Sequence, residues 1–283
     1  MVDETARDAA ERPLAPGTLL ELRTDSLRVE VAPSAGGRIA QIHCDDMPWL
    51  TGSDFDSAAI AWGCYPMVPW VGRIRRGRFS FEGRDYELPL TLGDHAIHGV
   101  GFVRPWRVEL QLPNRLELSL RLPRDASWPF GGTARQRLTV ADRTLRLELA
   151  MTAEDQAMPR PVMGWHPWFN KPDAIEFRPA AMYPRDAEGI ATLPLTAPSA
   201  GPWDDCFFNT EPVTLRRGNQ VLRLTSACDR WVVFDERAHA TCVEPQSGPP
   251  DAFNLDPLAR LAPGQSIELA FQMEWAPREP AGS

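Results

Sequence analysis

Lysine is almost missing from this chain: Lys171 stands alone among 30 basic residues, and 38 acidic residues outnumber them. A net charge of −8 and a pI near 5.2 leave no positive field to hold a nucleic acid or an anionic membrane. No stretch approaches the ~18 continuous apolar residues of a membrane helix. The polar start, Met1 to Arg12, lacks the apolar centre of a secretion signal. The five cysteines, Cys44, Cys64, Cys206, Cys228 and Cys242, are odd in number and form no Cys-x-x-Cys pair, which argues against a redox dithiol or a zinc knuckle. A soluble cytoplasmic protein with reduced thiols, and with no nucleic-acid or membrane partner, is the expectation. Gly-x-Ser-x-Gly, phosphate-cradling and dinucleotide-binding motifs are all missing, so nucleophilic and redox chemistry lack support.

What is present is punctuation: 28 prolines and 20 glycines interrupt short segments whose apolar residues recur every second position. Leu27 to Val31 alternates in this way, followed by a Gly36-Gly37 turn and Arg38 to Ile42. Arg78 to Phe81 and Asp85 to Leu88 read as a hairpin about Glu82-Gly83. Arg107 to Leu112 with Arg115 to Leu122, and Arg135 to Val140 with Leu145 to Met151, read as two more. Gln220 to Thr225, Trp231 to Phe234, Ala240 to Val243 and Ser266 to Met273 add further strands, while Pro179 to Pro202 reads as surface loop. The fold class that fits is all-β, a large antiparallel β-sandwich with few short helices. One domain is expected over residues 17–276, with 1–16 and 277–283 as flexible termini.

Chemistry concentrates in four places. Met163-Gly164-Trp165-His166-Pro167-Trp168-Phe169-Asn170, read as a loop, presents a histidine between two indoles; Trp165, Trp168 or Trp70 is a candidate face for a sugar ring. Gly93-Asp94-His95-Ala96-Ile97-His98-Gly99 carries two more histidines. A second apolar loop, Gly63 to Arg73, ends on an arginine, and Val243-Glu244-Pro245-Gln246 supplies a carboxylate. A glutamate base and a histidine acid are equipped to move protons on the oxygens of one substrate. With ordinary pKa values, activity should rise as Glu244 ionises and fall as His166 loses its proton. Three alternatives stay open on residues alone. One is a sugar-binding protein without turnover. Another is a metal enzyme using His95, His98 and His166, against which a His-x-x-His loop more often holds no metal. The third is a glycosidase, which would leave His166 and Arg73 without tasks.

In this order the motifs resemble the aldose 1-epimerase (mutarotase) family, from about Leu27 to Met273. Val68-Pro69-Trp70-Val71-Gly72-Arg73-Ile74 is similar to its arginine motif, His98-Gly99 to its first histidine, Gly164 to Asn170 to its second, and Val243-Glu244-Pro245 to its glutamate. The resemblance implies a β-sandwich with a sugar cleft, Glu244 as general base, His166 as general acid, and Arg73, His98 and Asp204 on sugar oxygens. It implies no metal and no cofactor, and a monosaccharide partner. Two positions depart from the pattern. His95 stands where the family often has asparagine, and Asp204-Asp205-Cys206-Phe207 stands for Asp-His-x-Phe, with Asp205 in the histidine's place. The run Arg73, Arg75, Arg76 and Arg78 raises a hexose 6-phosphate as an alternative substrate, set against a solvated hairpin.

Overall fold

The computed structural model describes residues 8–257 and 259–277. Leucine-rich alternation makes the outer sheet, in the order Arg107–Leu112, Arg115–Arg121, Thr133–Ala141, Thr144–Thr152, Ser266–Pro277, Gln220–Ser226, Val213–Arg217, Ala174–Glu176. Charged residues of these strands face water, while Leu116, Leu118, Leu145, Leu147, Leu149, Phe271 and Met273 are buried. Their partners in the core, among them Val29, Val31, Ile42, Trp165, Phe169, Trp231 and Val243, come from a second sheet. That sheet runs Leu20–Arg23, Leu27–Ala32, Arg38–Cys44, Cys64–Met67, Gly164–Asn170, Ala240–Gln246, Arg230–Phe234, Asp204–Phe208, Ala181–Met182, with Met47–Pro48 beside Arg38–Cys44. Every strand pair is antiparallel. Among the described residues the helices are short turns at Ala9–Glu11, Arg75–Gly77, Gly101–Val103 and Ala252–Leu255.

Three expectations need correction. Gly164–Asn170 and Cys64–Met67 are central strands, not loops. They were hidden because both faces are buried, which erases the apolar–polar alternation, and because Pro66 and Pro167 break the usual rule against proline inside a sheet. The expected flexible leader is packed from Asp8 onward: Ala10 is buried, its N–H bonds Thr91 O at 3.0 Å, and Leu14 N–H bonds Ser57 O at 2.8 Å. Pro277 pairs with Gln220 as the last residue of a strand. Residues 1–7 and 278–283 of those termini lie outside the described residues.

Polar links cross the apolar core between the sheets. Trp165 Nε1 donates to Gln136 Oε1 at 3.0 Å, and Gln136 Nε2 donates to Gly37 O at 2.7 Å. Gln136 is buried, so Gln136→Leu strips an acceptor from one enclosed group and a donor from another. The expected loss is about 2–5 kcal/mol of unfolding free energy, read as a lower urea midpoint at unchanged slope.

Candidate active site

Strand alternation sorts the central residues onto two faces. Trp165 and Phe169 point into the core, which turns His166 and Trp168 the other way; Val243 points in, which turns Cys242, Glu244 and Gln246 out. The pairing that sets Gly164 against Gln246 and Trp168 against Cys242 puts His166 across from Glu244. Their side chains meet, His166 Nε2 to Glu244 Oε1, at 3.2 Å. Gln246 Nε2 donates to Glu244 Oε2 at 2.9 Å. Tyr65, paired opposite His166, stacks its ring at 4.8 Å, and Trp168 stacks at 5.4 Å on the same imidazole. His98 approaches edge-on at 5.0 Å.

His98, His166, Trp168, Glu244 and Gln246, but not Tyr65, line a cavity of about 370 Å³, together with Arg73, Arg185, Asp204 and Asp205. All five residues singled out from the sequence therefore line one cavity. Arg73 opens the two-residue strand Arg73–Ile74, which pairs with Ala96–Ile97, so the arginine and His98 arrive side by side. His98 holds a left-handed φ of 56°, and the next residue must be glycine: a Cβ on Gly99 would sit 1.9 Å from Val68 O. Two buried side chains brace the turn after Arg73. Asp251 Oδ1 accepts the Arg75 N–H at 3.0 Å, and His95 Nδ1 accepts the Arg76 N–H at 3.1 Å. His95 is not part of the lining, so the three-histidine metal set is not assembled.

Of the three indoles considered for a sugar face, Trp168 lines the cavity; Trp165 and Trp70 are core, the latter against Trp128 at 6.0 Å. Tyr65, Gln246 and Arg185 escaped the sequence reading. Period-two counting from Glu244 points to Gln246, but nothing local marks Arg185. Arg185 joins both aspartates, Nη1 to Asp204 Oδ2 at 2.7 Å and Nε to Asp205 Oδ1 at 3.0 Å.

Burial governs the protons. Glu244 is 2% exposed, and desolvation, helped by the charge of Asp204, lifts its carboxyl well above the usual carboxylate range. Desolvation pulls His166 down to about 3, with the buried Arg38 guanidinium adding to the effect. His98 is depressed well below its ordinary value by burial, then by His166 and Arg73. Both members of the pair thus favour their neutral forms, and one proton serves the two. The carboxyl–imidazole form and the carboxylate–imidazolium form differ only by moving that proton across the 3.2 Å contact.

A raised folded pKa means the native state holds the Glu244 proton more tightly than the unfolded chain does. Its stabilisation is complete below the unfolded value and is lost as pH rises through the folded one. His166 is depressed, so its contribution is present above about 6.5 and is lost as pH falls. In melting curves across pH, Glu244→Gln should therefore gain Tm over the parent increasingly toward alkaline pH. His166→Asn should gain toward acid. Parallel curves for parent and variants would contradict the burial argument.

The family profile for aldose 1-epimerase matches residues 18–274. The uncharacterized protein YphB of Escherichia coli (strain K12) is 24% identical over 91% of this chain and 99% of its own length. A candidate aldose 1-epimerase from Escherichia coli K12 is similar in fold, with a TM-score of 0.80 at 21% identity over 92% of this chain and 99% of that one. Galactose 1-epimerase from Lactobacillus acidophilus NCFM matches with a TM-score of 0.76 at 15% identity, over 92% and 95%. With a profile match over most of its length and a sandwich of the same fold, the chain belongs to the aldose 1-epimerase family.

Proposed function

We propose that this protein interconverts the α and β anomers of a free hexose-type sugar by opening and reclosing its ring. The observation that carries the reading is the buried 3.2 Å contact between His166 and Glu244 at a cavity also lined by Arg73, His98 and Asp204. Glu244 takes the proton of the C1 hydroxyl while His166 gives one to the ring oxygen. The C1–ring oxygen bond breaks and an open-chain aldehyde forms. After rotation about C1–C2 the hydroxyl adds to the other face with the roles reversed, and the pair ends with the proton count it began with. No cofactor or metal enters the cycle. Arg73, His98 and Asp204 hold sugar oxygens, and Trp168 offers its face to the ring.

Arg75 and Arg76, two of the four arginines that suggested a sugar phosphate, are engaged by Asp186 and Glu188, which favours an uncharged sugar. Rates of anomer exchange for free hexoses, pentoses and hexose 6-phosphates, followed by polarimetry or NMR, test both points. No acceleration with any sugar would leave a binding protein on this scaffold.

Glu244→Gln and His166→Asn should each lower kcat about 10²- to 10⁴-fold, roughly 3 to 5 kcal/mol of barrier, with sugar affinity largely kept. The double variant should be little worse than either, because the two act on one bond as a unit. Arg73→Ala should weaken binding as well. In kcat/KM against pH, the acid limb marks a second proton reaching the pair at His166, and the alkaline limb marks loss of the last proton from Glu244. This reverses the order expected from ordinary pKa values, because burial depresses one group and raises the other. Loss of the acid limb in Glu244→Gln with His166 intact would overturn that assignment.

Sugar binding should quench tryptophan fluorescence, and Trp168→Phe should remove most of the change. Trp70→Phe and Trp165→Phe should keep it.

A further inference from the structure

Cys242 shares a sheet face with the proton-transfer pair and has no part in the mechanism above. It lies on the strand of Glu244, two residues before it, and opposite Trp168 on the neighbouring strand. The ligand atoms of His166, Cys242 and Glu244 all lie within 4.8 Å of one another, and all three residues are buried. Imidazole, thiol and carboxylate together are a donor set for a borderline-soft divalent cation, and three protein ligands with an open position suit zinc.

We propose that this trio binds a divalent cation of the zinc class, entering from the cavity, and that the bound cation shuts off the pair. The His166–Glu244 separation of 3.2 Å is already near the ~3.3 Å between nitrogen and oxygen donors on one tetrahedral zinc. Cys242 Sγ, within 4.8 Å of both, has to close up by at most about 1 Å to reach bonding distance. A second feature points the same way: Gln246 lines the cavity and bonds Glu244, and its buried Oε1 accepts no hydrogen bond from the described residues. A water on the cation's fourth position would supply its donor. Coordination sends to solvent the Cys242 thiol proton and the one proton shared by His166 and Glu244. The cation then occupies the lone pairs that the sugar's protons need. The blocking half of this proposal rests on the mechanism above; the binding half does not.

Cobalt(II) serves as the probe. The purified chain should show a near-ultraviolet thiolate-to-cobalt absorption that zinc displaces, and Cys242→Ala and Cys242→Ser should both lack it. In anomer exchange, zinc should inhibit the parent and a chelator should restore it. Both Cys242 variants should keep the parent rate while losing at least tenfold in zinc sensitivity. No absorption in the parent, or undiminished absorption in both variants, overturns the site. If the absorption behaves as expected but no sugar is turned over in metal-free buffer, the site stands and the mutarotase reading fails.

Discussion

The site depends on strand register. His166 and Glu244 come from segments far apart in the chain, and they meet because Gly164–Asn170 and Ala240–Gln246 pair with Trp168 opposite Cys242. Side chains alternate with a period of two, so a slip of one residue would send His166 into the core and Trp165 into the cavity. The core prevents that slip. Trp165, Phe169 and Val243 are locked between the sheets by packing, and the Trp165 indole N–H is fixed to Gln136 on the facing sheet. The apolar half of each strand thus sets the position of its chemical half.

A sheet this well buried on both faces imposes its own electrostatics. The imidazole is sandwiched by Tyr65 and Trp168 and approached edge-on by His98, so little water reaches it. Arg38 lies behind Tyr65, 4.9 Å from its ring centroid, with its guanidinium given to the carbonyls of Ala35, Trp62 and Phe102. A fixed positive charge there disfavours a second one on His166. The resting pair is consequently uncharged, and in the ring opening we propose its ionic form becomes competitive when sugar hydroxyls surround it.

The outer sheet was legible in the sequence because one of its faces is wet. Leu116 to Leu122 and Leu145 to Met151 alternate with charged or small residues, and each expected hairpin lies within two residues of its observed strands. The inner strands were not legible as strands, since Gly164–Asn170 has apolar residues on both faces and a proline in the middle. Residues that meet at the cavity stood out all the same, because His166, His98, Arg73 and Glu244 stand in motifs with unusual neighbours. What could not be read were contacts fixed by long-range packing alone: the braces on the Arg73 turn from Asp251 and His95, and the grip of Arg185 on two aspartates.

Those contacts bear on the kind of sugar that the proposed function would bring to the cavity. A phosphate needs cations with free donors, and here most nearby guanidinium groups are already neutralised. Arg75 and Arg76 reach Asp186 and Glu188, and Arg78 reaches Glu87 on its hairpin partner. Arg185 is held by Asp204 and Asp205. Moving any of these arginines onto a phosphate would strand a carboxylate beside the same anion, so the exchange gains little. Arg73 lines the cavity just before the turn braced at Arg75 and Arg76, and in the proposed function it suits a single sugar oxygen. The uncharged sugar we propose fits that arrangement, because hydroxyl protons and lone pairs satisfy aspartate and arginine together without adding charge to a buried site.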